Sequence, residues 1–96
     1  MERPVFIPLK RRFFEAFAAG EKRTEFRLLG ARWNERVCAP GRAVTLSCGY
    51  SGARLSGRID GFAVRTVADV PVMREVYPGA RDSDPVACIE ISLTAP

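Results

Sequence analysis

Eight consecutive residues, Gly20-Glu21-Lys22-Arg23-Thr24-Glu25-Phe26-Arg27, set one of only two lysines among two carboxylates, a hydroxyl and two guanidinium groups. These are residue types that acid–base and nucleophilic catalysis can use when histidine is absent. In charged form the same groups bind phosphate oxygens or the polar edge of a base. Read as a strand, the segment sends Lys22, Thr24, Phe26 and Leu28 to one face and Arg23, Glu25 and Arg27 to the other. Lys22 and Thr24 are then neighbours, and Glu25 meets Lys22 only if the strand kinks at its start, beside Gly20. The plain alternative is an ordinary edge strand carrying solvated charges.

The chain has no histidine, which removes the usual general base at neutral pH and the commonest metal ligand together. Cys38, Cys48 and Cys88 stand 10 and 40 residues apart, which fits neither a paired-thiol redox motif nor a zinc ligand set. They read as small buried hydrophobes, and neither metal nor cofactor is implied. Residues 1 to 65 carry 13 basic and 6 acidic side chains, whereas residues 66 to 96 carry 2 and 5. The basic excess thus surrounds the lysine segment. Thirteen of the fifteen basic residues are arginine, whose planar fork suits phosphate and stacks on bases, so the expected partner is a nucleic acid or a nucleotide.

At 96 residues, 47% of them hydrophobic, the chain is expected to form one domain over residues 1–96 that buries about 60 to 65% of its unfolded surface. No apolar run is long enough to cross a bilayer, and the N-terminus lacks the succession of a secretory signal, so the expectation is a soluble cytoplasmic protein without a membrane partner. Nothing in the composition fixes an oligomeric state.

Val5-Phe6-Ile7 reads as a short buried strand closed by Pro8. Leu9 to Ala19 has helical spacing, with Phe13, Phe14 and Phe17 as core packing and Gly20 as the C-terminal cap. Gly30 to Gly41 is a long loop around Arg32-Trp33-Asn34-Glu35-Arg36. Trp33 there either stacks on an unpaired base between arginines or plugs the end of the barrel, and Asn34 either reads a base edge or bonds its own backbone. Ala43 to Cys48 alternates as a strand, Gly49-Tyr50-Ser51-Gly52 turns the chain, and Arg54 to Ile59 returns, with Gly57 and Gly61 as bends. Asp69-Val70-Pro71 predicts a helix start running to Tyr77, and Val86 to Leu93 is the last strand. The sum is an α+β fold, a small, partly closed β-barrel with one main helix after the first strand and a second short helix.

Gly20, Lys22, Glu25 and Arg27 fill every fixed position of the pattern glycine, any, lysine, two variable residues, glutamate, any, arginine. With Ile7-Pro8-Leu9-Lys10, Gly41-Arg42-Ala43-Val44, and Val76-Tyr77-Pro78-Gly79 followed by Val86 to Ile91, the chain resembles the ASCH domain, a PUA-like family with small bacterial and phage-encoded members. The resemblance implies RNA or modified-nucleotide binding in a cleft between barrel and helix. Lys22, Arg23, Glu25 and Arg27 would be ligand contacts, with Arg32, Trp33 and Tyr50 around them. It also implies alternatives: an amidohydrolase acting on N4-acetylcytidine-type nucleosides, a ribonuclease, or a protein-interaction module. In the amidohydrolases a threonine follows the lysine by three residues, where this chain has Glu25. The catalytic candidates here are therefore Lys22, a displaced Thr24, and Glu25 or another carboxylate among Asp60, Asp69 and Glu75. Beside Glu25, with no apolar pocket evident, Lys22 is expected to favour its charged form.

Overall fold

The computed structural model describes residues 2–94. Five strands, β1 (Val5–Leu9), β2 (Thr24–Leu28), β3 (Ala43–Cys48), β4 (Arg54–Thr66) and β5 (Pro85–Leu93), form one curled sheet in the order β1-β3-β4-β5-β2. β1 and β3 are parallel and every other pair is antiparallel. Two helices, α1 (Arg11–Ala18) and α2 (Met73–Val76), complete a small α+β, partly closed barrel, the expected architecture.

Strand alternation builds the interior. Val5, Ile7 and Leu9 of β1, Val44 and Leu46 of β3, Ile59 of β4 and Ile89 and Ile91 of β5 all point inward. The eight residues of α1 are too few for a stable isolated helix, so its position depends on Phe14 and Phe17, which are buried in that interior. Each such side chain contributes about 1.5–3 kcal/mol by leaving water. A second cluster, Val67, Val70, Met73, Val86 and Cys88, lies where the segment containing α2 covers the outer face of β5.

Helix α1 ends as its glycine predicts. Gly20 adopts φ +77°, its amide donates to the Phe17 carbonyl, and the Glu21 and Lys22 amides both donate to the Ala16 carbonyl. This is a Schellman cap, and it fixes the backbone of Lys22 against the helix.

Several boundaries differ from the sequence reading. β1 does not stop at Pro8 but continues to Leu9, because an edge strand tolerates a residue without an N–H. Leu9 accordingly belongs to the strand, and α1 starts at Arg11. β4 is much longer than the expected return strand: it runs to Thr66, with its register slipping between Ile59 and Gly61. Gly57 marks a close approach, since a Cβ there would sit 2.7 Å from the Ser92 carbonyl oxygen. Asp69 does not cap α2. It ends a short 3-10 turn, Val67–Asp69, and its carboxylate accepts a bond from the Thr66 hydroxyl at 3.1 Å, while α2 begins later, at Met73. All three cysteines are free; Cys38 and Cys88 are buried and Cys48 is half-buried.

Candidate functional site

β1 and β2 are the two outer strands of the sheet, and no ladder of backbone hydrogen bonds joins them. Arg27 bridges this seam. Its Nε donates to Glu25 Oε2 at 2.7 Å and its Nη2 donates to the Pro8 carbonyl oxygen on β1 at 2.6 Å. Lys22 Nζ lies 3.7 Å from the other carboxylate oxygen of Glu25. Glu25 is only 6% exposed, and the side chains of Lys22 and Arg27 are 17% and 16% exposed. One buried carboxylate is therefore clamped between two cations, leaving a net positive charge.

The predicted condition for this contact is met. β2 starts at Thr24, and residues 21–23, with a bend at Glu21, lie before the strand, so the Lys22 side chain can reach Glu25 on the inner face. The expected pairing of Lys22 with Thr24 is corrected by the same fact. Thr24 lines a different groove, with Phe62, Arg65 and Glu90, behind a partition formed by Phe26 and Val72.

Lys22, Glu25 and Arg27 open into a cleft of about 360 Å³. Pro8, Leu9 and Lys10 from β1 and its exit, Phe13 from α1, and Gly49 and Tyr50 from the β3–β4 turn form one side. Phe26, Val72, Met73, Val76 and Tyr77 form the other. The volume lies in the range of small-molecule sites, and a mostly apolar lining with a few convergent polar groups is their usual composition. The Lys22 ammonium faces three rings, with Nζ 5.3 Å from the centroid of Phe13, 5.5 Å from Phe17 and 5.0 Å from Phe26.

Burial among these rings pushes Lys22 below its ordinary value of 10.5; Glu25 acts in the opposite direction, and Arg27 adds a smaller downward push. This corrects the expectation that Glu25 dominates, which assumed no apolar pocket. The unfolded chain then holds a proton that the folded chain releases, so stability should rise with pH from the lowered Lys22 value up to 10.5. Cys38 and Cys88, both pushed above 9.0 by burial, act oppositely from 9.0 upward. Urea midpoints of the wild type and Lys22→Met, compared from neutral pH up to 10.5, should diverge in slope, the wild type gaining stability that the variant does not, while the cysteine contributions, common to both, cancel. Parallel curves would contradict the burial argument.

Tyr50 stands at the cleft mouth, 79% exposed. The remaining candidates lie elsewhere. Arg23 is exposed and lines a shallow groove with Asp60 and Glu90. Trp33 and Arg32 are outside the cleft. The Trp33 ring packs on the core and carries the Arg27 guanidinium 4.7 Å from its centroid, with Arg32 at 5.9 Å, so it supports Arg27 and does not present a free stacking face in the cleft. Asn34 bonds its own loop, donating to the Gly30 and Ala31 carbonyls and accepting from the Val37 amide. Of the other carboxylates, Asp60 accepts from the Ser92 hydroxyl, Asp69 from Thr66, and Glu75 pairs with Arg12 on the surface. None of them lines the cleft.

Sequence reasoning missed Phe13, Phe26 and Tyr77 as cleft walls. Phe13 reads as core like its neighbours, yet it flanks the lysine while Phe14 and Phe17 fill the barrel. Phe26 follows the buried glutamate directly, and that adjacency was the available signal. Among the described residues no helix is long and apolar enough to cross a membrane.

No family model matches the chain, and no curated protein does. Among solved structures it is similar to the crystal structure titled hypothetical protein PH0355, with a TM-score of 0.65 and 19% identity over 93% of this chain and 97% of that one. The likeness is one of fold, and the two chains share it over almost their whole lengths.

Proposed function

We propose that this chain is an ASCH-type, PUA-like domain of the cytoplasm that binds RNA or a modified nucleotide, with one base in the cleft. The supporting observation is the buried Lys22–Glu25–Arg27 array at the floor of an apolar cleft. Arg27 uses two of its five donors on Glu25 and Pro8, which leaves three for a base carbonyl or phosphate. Lys22 supplies further donors, and Glu25 can accept from an exocyclic amine. Phe13, Phe26, Tyr50 and Tyr77 offer aromatic surface to a planar ring.

The test is binding of labelled single-stranded RNA and of mononucleotides across a salt series. Affinity for RNA should fall with salt at about 0.7 log units per tenfold change for each phosphate neutralised. Lys22→Ala combined with Arg27→Ala should lose at least about tenfold, roughly 1.4 kcal/mol. Salt-independent binding, or an unchanged affinity in a folded double variant, would overturn the reading.

The lowered proton affinity of Lys22 favours a second reading, hydrolysis of an N4-acetylcytidine-type amide. Among the described residues, the side-chain hydroxyls lining the cleft are the phenols of Tyr50 and Tyr77, so Lys22 would activate water rather than Thr24. Incubation with N4-acetylcytidine, followed by mass spectrometry, decides between the two. Cytidine release by the wild type but not by Lys22→Ala would make the domain a hydrolase, and no release leaves binding as its role.

A further inference from the structure

The outer faces of the two halves of the sheet differ. Over β5 and β2, the segment from Val67 to Tyr77 packs on Val86, Cys88, Phe26 and Leu28. Over β1, β3 and β4, strand alternation turns Phe6, Thr45, Arg54, Ser56 and Arg58 outward, and no helix covers them, because α1 packs on the inward-facing residues. An uncovered face would ordinarily be a plain polar surface. This one carries a continuous stack.

The Arg54 guanidinium lies 5.0 Å over the Phe6 ring, and the Tyr50 ring is 6.3 Å from Phe6. Arg54 also donates to the Tyr50 carbonyl at 3.1 Å, which ties the turn to the strand. Among the described residues, Lys10, Arg54 and Arg58 have no carboxylate within ion-pair distance. Tyr50 belongs to both places, since it lines the cleft and stands in the stack. The face is thus basic, aromatic, and continuous with the cleft mouth.

We propose that this outer face is a track for single-stranded RNA. One nucleotide would enter the cleft, a neighbour stack on Tyr50, and the phosphates meet Lys10, Arg58 and Arg54, the last held in place over Phe6. The proposal rests on the nucleotide-binding reading of the cleft and extends it from a single base to a strand. Charge alone would suit any polyanion. The aromatic stack selects an unpaired strand, because only unstacked bases present free π faces to side chains, and an open sheet face accommodates an extended backbone.

The experiment compares a mononucleotide with a single-stranded RNA of about ten nucleotides, within the usual site size of such surfaces. The proteins are the wild type, Tyr50→Ala, the double variant Arg54→Gln with Arg58→Gln, and Lys22→Ala, each checked for folding by circular dichroism. Oligonucleotide affinity of the wild type should exceed mononucleotide affinity. Arg54→Gln with Arg58→Gln should narrow that ratio and reduce the salt slope by about 1.4. Tyr50→Ala should weaken the oligonucleotide roughly fivefold or more beyond any loss it causes for the mononucleotide. If Lys22→Ala loses binding while the outer-face variants keep the wild-type ratio and slope, the track is overturned and the cleft reading stands. If the wild type binds neither probe, both fall. Equal binding of dextran sulfate that is indifferent to Tyr50→Ala would mark a general polyanion patch and also overturn the track.

Discussion

Glu25→Ala is expected to cost about 3–5 kcal/mol of stability, the usual penalty for leaving buried charge without its partner. The substitution removes one side chain but strands two cations, Lys22 and Arg27, whose side chains are both largely enclosed. Small domains have only about 5–15 kcal/mol of stability in all, so the variant should unfold at a sharply lower urea concentration. Glu25→Gln keeps the shape and one acceptor for Arg27, and should fall between the variant and the wild type. Exposed ion pairs typically contribute about 0–1 kcal/mol. A Glu25→Ala loss within that range would mean that solvent already screens the array, and the cleft floor would not be the low-dielectric site described above.

The second large effect is expected at Arg27, even for a conservative change. Arg27→Lys retains the charge but not the fork, so a single ammonium cannot donate to Glu25 and to the Pro8 carbonyl while lying on Trp33. Hydrogen bonds involving a charged group contribute about 1.5–3 kcal/mol each, and loss of the arrangement should cost about 3 kcal/mol. Trp33 is the chain's sole tryptophan and carries the guanidinium 4.7 Å from its ring, so its fluorescence reports the change directly. The variant should show an altered emission maximum in the folded state and an earlier urea midpoint. An unchanged spectrum with an unchanged midpoint would show that the seam holds without the fork.

The contrast between Lys22 and Thr24 shows what was legible in the sequence and what was not. The types and spacing of Lys22, Glu25 and Arg27 marked the array, and Gly20 marked the turn that delivers it. Which partner Lys22 meets depended on where the strand begins, because alternation constrains only residues inside the strand and Lys22 lies before it. Starting β2 at Thr24 sends Glu25 inward and Thr24 into the groove behind Phe26. The barrel and its main helix were readable from local alternation and helical spacing. The length of β4 was not: Gly57 and Gly61 read as bulges or bends, and the register does slip between Ile59 and Gly61, but the strand continues past both against β5. The walls at Phe13 and Tyr77 come from segments 64 residues apart in the chain, and no local pattern pairs them.

Any sheet that is not closed by its own ladder leaves two borders able to recruit a strand from another molecule. In this fold those borders are β1 and β2, and they face each other across the seam. Pro8 offers no N–H to an incoming strand, and its carbonyl is already taken by Arg27. The arginine that lines the cleft therefore also caps one acceptor on the β1 border, that of a residue with no N–H to offer. Replacing Arg27 would free that acceptor, whereas changes at Phe13, Tyr50 or Tyr77 reshape the cleft and leave it capped.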